Sequence, residues 1–335
     1  MRKSIGEMLD DPLVYFSWMR TEAVKFGVIH AATHLGLLDH VGPGPTTAAE
    51  IARRSGHDPE MVRRLIEYLA AEGVLAAEGE GRFSATERSD YLKSIPFVTW
   101  SGAQTHEAVL HLGEAIETGK TAHEVAFGLP VFEYLKANPD LGQRFADVMS
   151  FTTRIMEDRI FASHSFKPFE LAVDVGGSQG SFLKRLLKEH PAARGILFDR
   201  PETAEQAREA VAASGMGDRI DIMGGDFFSS VPAGGDLYIV KQILHDWNDE
   251  ECRAILTNIR AAIVDGGRLA VLERVIPERY TPHIAYDFDI LMMLWTTGRE
   301  RRLSEYEKMF EDTGFRFDRV SESPAGMSVV EAVPV

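Results

Sequence analysis

The sequence predicts a two-part protein: a mainly helical N-terminal region and, after Pro168, an open α/β sheet covered on both faces. Three observations predict it. The first 165 residues carry helical periodicity and one hairpin-like stretch. From residue 170 onward, short apolar runs alternate with helical stretches, the pattern of a parallel sheet under crossover helices. The length of 335 residues is enough for about two cores.

Taken in order, Val24, Val28, Ala31, Leu35 and Leu38 recur at steps of four and three, one apolar stripe on a helix. Phe26, Ile29 and Ala32 lie off the stripe and are also apolar. This helix is therefore expected to be buried on more than one side, in a core or against a second subunit. Residues 46 to 86 give two short helices and a hairpin. Met61, Leu65 and Leu69 share a face, Gly73 stops the helix, and "VLAAEGEGRFSAT" reads as strand, glycine turn, strand.

Helix, helix, hairpin is a winged-helix pattern, which in other settings binds DNA. From 46 to 93 there are seven Lys or Arg against nine Asp or Glu. A wing that reads DNA would be basic, so a packing or dimerisation module is expected. Helical signals continue to residue 165 in "HEAVLHLGEAI" and "PVFEYLKANPDLGQRFADVMSFTTRIMEDRIF". The strands of the sheet are then read in "ELAVDV", "ARGILFD", "RIDIM", "DLYIVK" and "GRLAVLE".

Composition narrows the partners. A net charge of -15 argues against nucleic acid or an anionic membrane. The single cysteine, Cys252, can form neither an intramolecular disulfide nor a thiolate cage, which fits a reducing compartment. Acids interrupt what would be a signal-peptide core at the N-terminus, and no run approaches 18 apolar residues. A soluble cytoplasmic protein is expected.

In open α/β sheets ligands bind at the carboxyl ends of the strands. The first strand runs into "DVGGSQG", whose Gly176, Gly177 and Gly180 allow a sharp turn and close approach but do not fit the spacing G-x-G-x-x-G. The second ends at Asp199, where a carboxylate can accept both hydroxyls of a ribose. The third is followed by Asp226 and Phe227, an acid and a flat ring suited to an adenine. The fourth runs out at Lys241 and is followed by "HDW": His245, Asp246 and Trp247.

These motifs, together with "FGVIHAATHLGLLDHV", "GRFSAT" and "PVFEYLKANPDL", make the sequence resemble the S-adenosylmethionine-dependent O-methyltransferases of the plant caffeate and bacterial antibiotic-tailoring type, over nearly the whole chain. The resemblance implies a Rossmann-like class I methyltransferase sheet with an N-terminal winged-helix dimerisation domain. The expected division is a dimerisation domain at 1–100, a helical linker lining the active site at 101–165 and a catalytic domain at 166–335. It implies S-adenosyl-L-methionine as cofactor, a homodimer, and a small aromatic hydroxyl compound as acceptor. Gly176 and Gly180 would lie at the cofactor, Asp199 and Asp226 would hold ribose and adenine, Phe227 would pack on the adenine, and Lys241, Arg144 and Met149 would add contacts. Ser178 stands where the family usually has a third glycine, which predicts a slightly changed loop.

His245 matches the family's catalytic histidine, flanked by acids matching Glu273 and Glu300. The chemistry fits: a phenol of pKa about 10 is a poor nucleophile at neutral pH, and an imidazole can remove its proton as the new bond forms. Asp289, Met292, Met293 and Thr296 are placed on one helical face of an acceptor wall, where methionines adapt to flat ligands. Trp100 and His106 would close the pocket, and Trp247 would support His245 from behind. Ser304 and Glu307 read as a capping box on a surface helix ended by Gly314.

Neither "HAATH" nor "HEAVLH" fits a zinc motif, so no metal site is expected. Two other functions fit less well: non-methylating chemistry such as decarboxylation or hydroxylation on the same fold, and a winged-helix regulator that senses a metabolite.

Overall fold

The computed structural model describes residues 12–94, 104–323 and 326–335. It divides into two compact units, Met1–His106 and Glu107–Val335.

In the first unit helix α1 (Pro12–His34) ends before Gly36, whose φ of +63° turns the chain into a 3-10 segment at Leu37–His40. Strand β1 (Thr46–Thr47) leads into α2 (Ala48–Ser55), where Thr47 and Glu50 form a reciprocal capping box. Helix α3 (Pro59–Ala71) is capped by Asp58 and starts on a proline. Strands β2 (Leu75–Ala77) and β3 (Arg82–Ala85) form the predicted hairpin, β1 pairs with the other edge of β3, and α4 (Glu87–Ser94) follows.

Two predicted faces are corrected here. On α3 the buried residues are Val62, Ile66 and Leu69: Leu69 lies in the core as expected, Leu65 is half-buried, and Met61 is 63% exposed, its place taken by Val62, where the helix meets Leu37, Leu38 and Ile51. The stripe drawn through Leu35 and Leu38 crosses the end of α1, so Leu38 packs from the 3-10 segment instead. Val24 and Phe26 stand exposed on α1.

In the second unit the helical stretch divides at its breakers. Helices α5 (Leu112–Thr118), α6 (Ala122–Phe127) and α7 (Val131–Ala137) precede the long α8 (Pro139–Ser163). Asn138 leaves helical geometry, and Pro139, which lacks an N–H, starts α8 in its first turn.

The sheet follows: β4 (Leu171–Val175), α9 (Ser181–Glu189), β5 (Arg194–Asp199), α10 (Pro201–Ala213), β6 (Ile220–Gly224), β7 (Leu237–Lys241), α11 (Asp249–Ala262) and β8 (Arg268–Glu273). Each predicted strand is found, to within a residue at either end. Short β9 (Val275–Ile276), α12 (Ile284–Trp295), short β10 (Arg301–Arg302), α13 (Leu303–Asp312), β11 (Phe315–Glu322) and β12 (Ser328–Pro334) complete the chain. The last two strands were not anticipated: β12 pairs antiparallel with β8, and β11 pairs antiparallel with β12 at the sheet edge.

The sheet order β11-β12-β8-β7-β4-β5-β6 places the site. The chain builds outward from β4 to β5 and β6, then returns to lay β7 on the other side of β4. That reversal of strand order opens the crevice in which ligands bind in such sheets. The loops leaving β4 and β7 flank it, so the glycine loop and the turn of His245 are neighbours. Two apolar layers hold the sheet: Val240, Leu256, Val271 and Phe310 on one face, Leu183, Leu186, Leu197 and Ile239 on the other.

Candidate active site

The glycine loop is built by close packing. Gly176 (φ +74°) and Gly180 (φ +71°) take left-handed conformations that favour glycine. A Cβ on Gly176 would lie 2.4 Å from Ile243 Cδ1, and one on Gly177 2.8 Å from Asp174 Oδ2. Ser178, in place of the third glycine, is itself held at φ +50°, and its N–H donates to Asp199 Oδ2 at 2.8 Å. The other oxygen of Asp199 accepts from Arg200 N–H at 2.7 Å. Burial raises the pKa of Asp199 while these two N–H groups oppose it.

Asp226 is exposed and closes its own turn, accepting from Phe228 N–H and from the Ser229 hydroxyl. Phe227 packs edge-on to Phe228 and Trp247. Lys241 donates from Nζ to Thr153 Oγ1 at 3.0 Å. Around it stand two buried acids with an oxygen that has no hydrogen-bond partner, Asp174 and Glu157. Burial raises the pKa of both.

His245 lies in a 3-10 turn (Leu244–Asp246) just past β7 and is 6% exposed. Its Nδ1 is 3.1 Å from Glu300 Oε1 and 3.4 Å from Glu273 Oε2, and Nε2 is 3.7 Å from Asp246 Oδ1. Glu273, fully buried at the end of β8, accepts at Oε1 from the backbone N–H groups of Ile243 and Leu244 at 2.9 and 3.0 Å. The second oxygens of Glu273 and Glu300 have no hydrogen-bond partner.

Burial alone would lower the imidazole pKa, but Glu273, Asp246 and Glu300 outweigh it and raise it to about 10. Burial pushes Glu273 up to about 7 and Asp246 to about 6. Groups this close exchange protons as one unit.

Sequence reading missed what holds this turn. Arg301, with no exposed surface, donates from Nη1 to Leu244 O and from Nη2 to Trp247 O, both at 2.8 Å, and from Nε to Asp249 at 2.9 Å. Gly298 presses against the same turn: a Cβ there would lie 2.0 Å from His245 O. "TGRER" marked this segment only for Glu300, because a motif records no through-space contact.

The acceptor helix shows a mixed result. On α12 Met292 is buried, Met293 is half-buried and Asp289 is half-buried with Oδ1 accepting from Glu300 N–H at 3.0 Å. Thr296 is corrected: it is the C-cap in extended geometry, past the helix, so it shares no helical face with the others. Trp247 is stacked against Phe132 and edge-on to Phe228. On α8 Met149 is half-buried and Arg144 exposed; His106 is exposed, and Trp100 lies outside the described residues. The capping box of α13 is also corrected. The helix begins at Leu303, the N–H of Arg302 donates to Glu305, and Ser304 binds Glu278 instead. Gly314 (φ +79°) does follow the helix end.

An O-methyltransferase domain model matches residues 109–316, and an O-methyltransferase dimerisation domain model matches residues 21–94. This chain is a member of the S-adenosylmethionine-dependent O-methyltransferase family. It is similar to the phenazine O-methyltransferase PhzM of Lysobacter antibioticus, 33% identical over 92% of each chain. The O-demethylpuromycin-O-methyltransferase of Streptomyces alboniger is 36% identical over 92% of this chain and 85% of the relative. Among solved structures, the mitomycin 7-O-methyltransferase MmcR superposes with a TM-score of 0.87 at 30% identity, over 96% of this chain and 97% of that one.

The residues present fit the cofactor of the family. S-adenosylmethionine carries a sulfonium and an amino-acid zwitterion, and the loop end of the sheet offers a net excess of acids: Asp174, Asp199 and Glu157 against Lys241. The free oxygens of Asp174 and Glu157 are acceptors that a cationic ligand can satisfy.

Proposed function

We propose that the chain methylates a hydroxyl of an aromatic small molecule, with His245 as general base. One observation carries this reading: an imidazole whose Nδ1 faces both Glu300 and Glu273, at the loop end of the sheet where the glycine loop also lies. Gly176, Gly180, Asp199, Asp226, Phe227, Lys241, Arg144 and Met149 would hold the cofactor, and Asp289, Met292, Met293 and Trp247 the acceptor. When bound, S-adenosylmethionine supplies a methyl group already activated by the sulfonium.

The protein's own contribution is a proton transfer. With Nδ1–H donating to Glu300, the remaining nitrogen, Nε2, is the acceptor for the phenolic proton. An unperturbed imidazole of pKa about 6.5 would take that proton at a cost of roughly 5 kcal/mol against a phenol of pKa about 10. Glu273, Asp246 and Glu300 raise the imidazole above its ordinary value, which narrows the gap between base and phenol. Glu273 and Glu300 orient the ring and balance the imidazolium as it forms.

Three relatives bear the names of a phenazine, a 3-amino-4-hydroxybenzoate and a dihydroxynaphthoate O-methyltransferase. Flat hydroxylated rings of that kind suit a wall containing Met292 and Met293. Exposed Val24 and Phe26 on α1 support a homodimer, and the cytoplasm is the compartment proposed.

The test is methyl transfer from S-adenosylmethionine to a panel of hydroxylated phenazines, benzoates and naphthoates, by wild type and His245→Ala. Turnover of at least one phenol, reduced by about 100-fold or more in the variant, is expected. Unimpaired turnover by His245→Ala would remove the base assignment.

A further inference from the structure

We propose that His245, Glu273 and Glu300 form a divalent-cation site, best suited to Zn2+, whose occupation shuts off the base. The sequence offered no zinc motif because these ligands come from three separate segments. In space, one ligand atom from each residue lies within 4.8 Å of the other two.

Three features separate this cluster from a chance gathering of acids. All three side chains are buried, at 6%, 0% and 1% exposure. Glu300 Oε2 is shielded from solvent with no hydrogen-bond partner, and Glu273 Oε2, equally shielded and without a hydrogen bond, faces the imidazole at 3.4 Å, so both acceptors are already stripped of water. The spacing also fits. Ligands at zinc bond lengths of about 2.0–2.2 Å in tetrahedral array stand roughly 3.3 Å apart. Nδ1 of His245 lies 3.1 Å from Glu300 Oε1 and 3.4 Å from Glu273 Oε2. A mixed nitrogen and oxygen donor set is one that zinc accepts.

The consequence for the reaction follows from the imidazole. A metal bound at Nδ1 leaves the ring's only N–H on Nε2, so the nitrogen that must receive the acceptor's proton is already protonated. As the ion binds, the ring proton moves from Nδ1 to Nε2, the ion forms bonds to Nδ1 and to one oxygen of each glutamate, and no redox partner is needed. This consequence rests on His245 being the base; the site itself does not.

The experiment uses the full chain, stripped with a chelator and titrated with Zn2+ by calorimetry and with Co2+ by its visible ligand-field bands. One ion per chain is expected, with affinity reduced at least tenfold in Glu300→Ala and in His245→Asn. Circular dichroism would verify that each variant is folded. The same affinity in His30→Ala is expected, because the stacked His30 and His34 pair on α1 is the competing pair of imidazoles. Binding that survives both site variants and falls in His30→Ala would overturn the proposal, as would the absence of any Co2+ band. Zn2+ should also slow wild-type methyl transfer at least tenfold, reversibly with chelator. Zinc binding in a chain that methylates none of the panel would break the functional reading and leave the metal site standing.

Discussion

At the scale of single residues, Asp174 is the side chain whose cost is most directly measurable. It ends one residue before the close of β4, is 2% exposed, and one of its oxygens lies against the glycine loop without a partner. Burial raises its pKa to about 7 although Lys241 pulls it down. An acid whose folded pKa stands above its unfolded value of about 3.9 binds more protons folded than unfolded between those two values. Its contribution to stability therefore falls as pH rises from about 4 to about 7, and is flat beyond. The loss over that window is at most about 4 kcal/mol. Urea unfolding of wild type and Asp174→Asn between about pH 4.5 and pH 8 should show a flatter dependence in the variant. Parallel curves would mean that Lys241 keeps Asp174 ionised throughout.

At the scale of elements, the turn at Gly298 couples Glu300 to His245. Gly298 has no room for a Cβ beside the backbone of His245 and Trp247, and backbone cannot step aside as a flexible side chain can. We expect Gly298→Ala to lower kcat at least tenfold and stability by about 1–3 kcal/mol, followed by steady-state kinetics and thermal melts. Gly113→Ala, at a helical glycine in α5 with open space around it, should be neutral or stabilising by up to about 1 kcal/mol. Equal losses in both would show that the effect is not local to the turn. The contrast also marks what a sequence reveals. Strands β4, β5, β7 and β8 were legible because each is a short buried apolar run and β6 because two isoleucines alternate in it; His245 and Asp199 stood out at the ends of such runs, and Glu273 through the family resemblance. Arg301, Gly298 and Thr153 were not, since each acts through a contact between segments far apart in the chain. On α3 Leu69 was read correctly and Met61 was not, because Met61 and Val62 are both apolar and only the fold shows which meets the core.

At the scale of the whole molecule, α1 carries apolar side chains that stay exposed among the described residues. Phe16, Met19, Val24 and Phe26 on this helix are between 37% and 67% exposed, and residues 21–94 match a dimerisation model. Scattered apolar side chains on a surface are ordinary, but Phe16, Met19 and Phe26 share one face of the helix, a patch that favours association, while Val24 lies on the other side. The net charge of -15 opposes self-association through long-range repulsion, which salt screens within about 10 Å at 0.1 M. An interface stable against that repulsion must then be apolar, and its affinity should rise with ionic strength instead of falling. Sedimentation equilibrium should give twice the chain mass of 37.2 kDa. Replacing Met19 and Phe26 together by Glu adds two charges per chain to that face and should weaken the dimer at least 100-fold, the equivalent of about 3 kcal/mol. The far-UV spectrum of the variant should remain that of the wild type. A dimer that persists unchanged in this variant would place the interface elsewhere and leave the exposed face of α1 unexplained.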